Sequence, residues 1–98
     1  MKQLLESQTQ VENAWHTVGE SRIEQHGLVM TYRLRWNGRE SAPSFYASVI
    51  SESDRATVWL GSDPDFAREC YRRIMDGFVT PCTLQDVVDD LTWEHRNR

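Results

Sequence analysis

Few residues in this chain are of types that move protons, bind metals or attack electrophiles, and their spacing decides what each can do. Asp86, Asp89 and Asp90 form the densest carboxylate cluster, and paired carboxylates can hold a hard cation or divide acid and base roles. Asp86 and Asp90 stand four residues apart, which puts them on one face of a predicted helix. That face is the polar one, near the helix N-terminus, where solvation and the helix dipole favour negative charge. The cluster therefore reads as a solvated helix face. A metal site built from Cys82, Asp86 and Asp90 would lack a histidine at ligand spacing on the same helix. His16 and His26 bracket a weak strand pattern, and His95 falls in a last helical turn, where an imidazolium would interact with unpaired carbonyls. Turn and cap roles are the expectation for all three. Cys70 lies in an apolar helix stripe and reads as an inert small hydrophobe. Cys82 precedes a helix N-terminus, an environment that activates a thiol, although a buried hinge contact beside Pro81 is the competing reading. No G-x-S-x-G, G-x-x-x-x-G-K or G-x-G-x-x-G pattern occurs, so nucleophile-elbow and phosphate-cradle chemistry have no local support. The expectation is a non-enzymatic protein with no catalytic, cofactor-binding or metal-binding residues. A metal- or thiol-dependent enzyme using Asp86, Asp90 and Cys82 is the remote alternative.

The elements that would position these residues are readable from periodicity. From Leu28 to Trp36 the residues Leu28, Met30, Tyr32, Leu34 and Trp36 alternate with Thr31, Arg33 and Arg35, the pattern of a half-buried strand. His26-Gly27 supplies a two-residue hairpin turn, so His16 to Glu24 is predicted as the antiparallel partner. Asn37 to Pro43 reads as a longer loop, since Pro43 cannot donate within a ladder. Ser44 to Ser51 and Ala56 to Leu60 are two further strands joined by Glu52-Ser53-Asp54-Arg55. At Gly61 the period becomes helical. Ser62 with Asp65 resembles a capping box around Pro64, Phe66, Cys70 and Ile74 form the stripe, and Gly77 stands where a left-handed cap belongs. After a hinge at Phe78 to Cys82, Thr83 with Asp86 suggests a second box, and Leu84, Val87, Val88 and Leu91 form a second stripe. The predicted fold class is α+β: an antiparallel meander of three to four strands followed by two C-terminal helices packed on one sheet face. Residues 1–15 read as a helical or disordered tail and 16–98 as a single domain.

Composition narrows the function classes. With 98 residues, 39% of them hydrophobic, and a formal net charge of -4, the chain suits one modest core. No apolar run approaches the ~20 residues of a membrane helix or forms a signal-peptide core, so a cytoplasmic protein without membrane contact is expected. Two cysteines are too few for a disulfide scaffold. Ten of the eleven basic residues are Arg, which suits phosphate and carboxylate recognition. The acidic balance opposes a nucleic-acid partner, because it removes the long-range field that dominates phosphate binding.

Every strand carries apolar residues of both parities. If Met30, Tyr32 and Leu34 face the helices, the opposite face takes Val29, Arg33, Arg35, Tyr46, Ile50 and Trp59. Such an aromatic and apolar patch, rimmed by arginine, has the make-up of an interface. Two occupants are open: a partner, either another protein or a second copy, or the N-terminal segment folding back through Leu4, Val11 and Trp15. Weak single-stranded nucleic-acid binding through Arg33, Arg35 and the aromatics is the alternative.

The segment from Gly77 to Leu91, and within it Pro81-Cys82-Thr83-Leu84-Gln85-Asp86-Val87-Val88-Asp89-Asp90, resembles the C-terminal signature of a family of small uncharacterised bacterial proteins. The resemblance extends from about Tyr32 to Leu91 and implies a short meander, a helix, a hinge and a final helix. It implies no activity and no catalytic residue.

Overall fold

The computed structural model describes residues 15–97. The expected helix or tail over residues 1–15 lies, apart from Trp15, outside the described residues. Four antiparallel strands, β1 (His16–Gln25), β2 (Leu28–Trp36), β3 (Phe45–Ile50) and β4 (Arg55–Gly61), form a meander in the order β1-β2-β3-β4. Helix α1 (Pro64–Asp76), a 3-10 turn (Pro81–Thr83) and helix α2 (Leu84–Arg96) follow. The α+β architecture read from the sequence is the one observed.

The β1–β2 turn is a two-residue hairpin in which His26 and Gly27 have φ of 54° and 79°, the left-handed pair that matches strand twist. Strand register then puts Met30, Tyr32, Leu34, Phe45, Ala47, Val49, Val58 and Leu60 on one face, all buried. Phe66, Ala67, Cys70 and Ile74 of α1 and Leu84 and Val88 of α2 close over them. Tyr32 is fully buried and donates its hydroxyl to the Val79 carbonyl at 3.0 Å, so the polar tip of the largest core side chain is satisfied. Tyr71 donates to the Tyr32 carbonyl at 3.1 Å. Its ring lies so close to Gly19 that a Cβ there would stand 3.0 Å from Tyr71 Cε2. Beside Gly19, the β1–β2 register shifts between Thr17 and Gly19.

Three capping expectations are corrected. Asp63, not Ser62, caps α1, its Oδ1 accepting from the Asp65 and Phe66 amides at 3.0 and 3.4 Å. Pro64, as the first helical residue, fixes the cap at the residue before it. Gly77 has φ of -84°, so it continues the helix, and Phe78 takes the left-handed position with φ of 48°. The Val79 amide then bonds the Ile74 carbonyl at 3.1 Å, a Schellman closure whose apolar contact joins Ile74 to Val79. Thr83 makes no side-chain cap to α2. The Pro81–Thr83 turn leads directly into that helix, and the Thr83 hydroxyl donates to the Thr80 carbonyl at 3.3 Å instead.

A candidate interaction face on the open side of the sheet

Among the described residues, no helix packs on the other sheet face. Cross-strand pairing places Glu24 beside Val29, Arg22 beside Thr31, Glu20 beside Arg33, and Thr17 beside Arg35. Farther across, Thr31 faces Ile50, Arg33 faces Ser48 and Arg35 faces Tyr46. The last row pairs Ile50 with Arg55, Ser48 with Thr57 and Tyr46 with Trp59. The structure thus brings Val29, Arg33, Arg35, Tyr46, Ile50 and Trp59 onto one face, opposite the buried parity. Val29, Arg33, Tyr46 and Ile50 are half-buried there, while Arg35 and Trp59 are exposed.

The face is not one continuous apolar patch. A polar band crosses its middle: Arg33 forms an ion pair with Glu20, and the Ser48 and Thr57 hydroxyls lie 2.9 Å apart. On one side of this band lie Val29 and Ile50, and on the other an aromatic cluster. In that cluster Trp59 is 58% exposed, and its indole Nε1 donates to the Ser44 hydroxyl at 2.8 Å. Trp15 meets Tyr46 edge-on, with ring centroids 5.0 Å apart and planes at 73°, a favoured aromatic geometry. The Trp15 side chain, one residue ahead of β1, thus meets an aromatic ring on β3. The Trp15 contact is the kind expected if the N-terminal segment folds back onto this face; the Ser44 bond and the Glu20 ion pair were not foreseen, since each joins residues that only strand register brings together.

Charge separates across the two layers. Arg22, Arg33, Arg35 and Arg55 stand on the open face with Glu20 and Glu24, an arginine excess on a chain whose net charge is -4. The helical layer has an acidic excess, Asp65, Glu69, Asp76, Asp86, Asp89, Asp90 and Glu94 against Arg68, Arg72, Arg73 and Arg96.

The other candidate residues are dispersed. Asp86, Asp89 and Asp90 are exposed on α2, where Gln85 Nε2 donates to Asp89 Oδ1 at 2.9 Å. No group of three or more His, Cys, Asp or Glu side chains is placed to hold a metal among the described residues. Cys70 is buried, and burial together with the Glu69 charge raises its thiol pKa to about 11, against a smaller opposing effect of Arg73. Cys82 is exposed rather than a buried hinge contact, because Pro81 takes the buried position and Cys82 turns outward. His16 lies 5.9 Å from the Trp36 ring, and His26 holds the hairpin turn. His95 does not cap its helix. It stacks on Phe66 with centroids 4.4 Å apart, and its Nε2 is 4.0 Å from Asp63 Oδ2. Asn97 closes α2 instead, donating its side-chain amide to the Trp93 carbonyl at 2.8 Å.

Fold and face define a class: among the described residues, a four-stranded meander with helices on one side and an arginine- and aromatic-bearing face on the other. No protein-family model matches the chain, and no curated protein or solved structure matches it. No helix among the described residues is long and apolar enough to cross a membrane.

Proposed function

We propose that this protein is a non-enzymatic interaction module that docks through the open sheet face, with a second copy of itself as the simplest partner. The observation that carries the reading is Trp59, exposed on that face yet held by Ser44 beside Tyr46 and Arg35. A fixed aromatic loses little freedom on binding, and Trp, Tyr and Arg are the types that dominate interface energies. Opposite charges on the face, Glu20 and Glu24 on β1 and Arg35 and Arg55 farther across, support docking against a reversed copy of the same surface. The free thiols and the composition support a cytoplasmic setting. The resemblance of the C-terminal segment to small bacterial proteins supplies a setting without an activity.

Arginines interleaved with aromatics also support a second reading, weak single-stranded nucleic-acid binding by stacking on Trp59 and Tyr46 with Arg33 and Arg35 on phosphates. The net charge of -4 and the Glu20 carboxylate on Arg33 weigh against it.

Sedimentation velocity across the micromolar range separates these readings. Self-association gives a sedimentation coefficient that rises with concentration and falls to the monomer value in Trp59→Lys. A monomer at every concentration overturns it. Binding of a labelled oligothymidylate that weakens steeply with salt would favour the second reading.

A further inference from the structure

We propose that the free edge of β4 is a second docking site, adjoining the open face at Arg55 and Trp59, which takes an extended segment of a partner polypeptide as a fifth strand beneath α2. Among the described residues no strand pairs with the outer side of β4. Which backbone groups face outward follows from the hairpin. Ser51 N–H donates to the Asp54 carbonyl at 2.8 Å, and hydrogen-bonded pairs alternate along an antiparallel ladder. The register of Val49 with Ala56 and Ala47 with Val58 makes those the bonded pairs. Arg55, Thr57 and Trp59 therefore direct their amides and carbonyls away from β3. The Arg55 amide confirms this alternation, since Asp54 Oδ1 accepts from it at 2.8 Å. The edge offers the Arg55 carbonyl and both backbone groups of Thr57 and Trp59.

The two edges of the sheet differ in how they resist pairing. β1 is irregular at Thr17 and Gly19 and carries Glu20, Arg22 and Glu24, the features that discourage strand addition. From Ala56 to Gly61, β4 has neither charge nor proline, and its register with β3 is regular from Arg55 to Trp59, shifting only at the strand's end, where Gly61 pairs with Phe45.

The helical layer shapes the site. α1 packs across β2, β3 and β4, whereas the main strand contact of α2 is β4. Packed helices lie about 8–10 Å apart and strands about 4.8 Å apart. α2, beside α1, therefore lies over β4 at the outer edge of the sheet. Beneath it runs a groove of about 440 Å³, with Val58, Leu60, Phe66 and Val88 at its apolar wall and Asp89, Thr92 and His95 on the helix side.

This geometry selects the occupant. Antiparallel two-fold pairing of β4 with a second copy would bring the two α2 helices, each over its own β4, to about one strand spacing, closer than helices pack. A bare extended segment meets no such obstacle. Its inward side chains extend the apolar layer of Ala56, Val58 and Leu60, so alternate apolar residues fit. Its outward side chains lie beside Arg55 and Trp59, so an Asp or Glu opposite Arg55 fits. Backbone bonding with alternating side-chain pockets is the recognition mode of strand addition.

A displayed library of random peptides selected on the full chain tests the proposal. Enriched peptides are expected to alternate apolar residues around an Asp or Glu. A synthetic copy should slow amide exchange at Thr57 and Trp59 without affecting Arg55, whose amide already has a partner. Thr57→Pro removes an amide that no neighbour in the sheet uses and should weaken the peptide about tenfold or more, while Arg35→Glu on the open face should leave it unchanged. Absence of enriched peptides overturns the proposal, as does protection confined to other amides of the wild-type chain. Protection of Thr57 that rises with protein concentration alone overturns it in favour of a second copy.

Discussion

Burial on the inner face of α1 raises the Cys70 thiol from 9.0 to about 11, whereas Cys82 is open to solvent. The unfolded chain ionises Cys70 near the ordinary value, and the folded chain resists ionisation until near 11. The folded state therefore binds more protons between these limits, so stability falls as pH rises from about 9 to 11 and is unaffected by this group below 9. Burial raises the Tyr32 phenol as well, adding to the decline above its ordinary 10.0. Urea titrations of the wild type and Cys70→Ala across this range should show a shallower decline in the variant. Iodoacetamide should label Cys82 in the native protein and reach Cys70 only on unfolding; equal rates would contradict this assignment. The helical stripe of Phe66, Cys70 and Ile74 made the buried thiol legible in the sequence. The exposure of Cys82 was not legible, because Pro81 and Cys82 compete for one inward position.

β2 and the two helices were legible because alternation in β2 and the stripes in α1 and α2 each span several turns of their period, whereas β1 has a weak pattern and followed only from the His26-Gly27 turn, which left the strand count at three to four. Helix ends were less legible, since competing caps differ by one residue and are decided by backbone angle. Ser62-Asp63-Pro64-Asp65 allows two cap assignments, and Pro64 selects Asp63. Asp63→Ala should therefore lower stability by about 1 kcal/mol, measured by chemical denaturation, while Ser62→Ala should change it little. The reverse order would restore the Ser62 cap. Phe78 shows the same effect at the other end of α1. Closing the helix over Ile74 and Val79 requires a left-handed residue one position after Gly77, and Phe78 accepts that conformation while packing against the core.

At the scale of the whole molecule, two layers with different chemistry meet at one core. The sequence parity of β2, β3 and β4 identified the six open-face residues, yet their arrangement depended on register. Only the pairing of Tyr46 with Trp59 and of Arg33 with Ser48 shows an aromatic cluster separated from Val29 and Ile50 by a polar band. Trp15 was read as part of a segment able to cover this face, and the Trp15 ring does meet Tyr46. That contact leaves Trp59 exposed, and this exposure is the basis of the docking assignment. The most direct test is to follow amide and indole resonances in two-dimensional NMR spectra as protein concentration rises through the micromolar range. Docking through the open face predicts concentration-dependent shifts at Arg33, Arg35, Tyr46 and the Trp59 indole, with α1 unchanged. Shifts confined to the helical layer, or a Trp59 indole that stays fixed at every concentration, would contradict it.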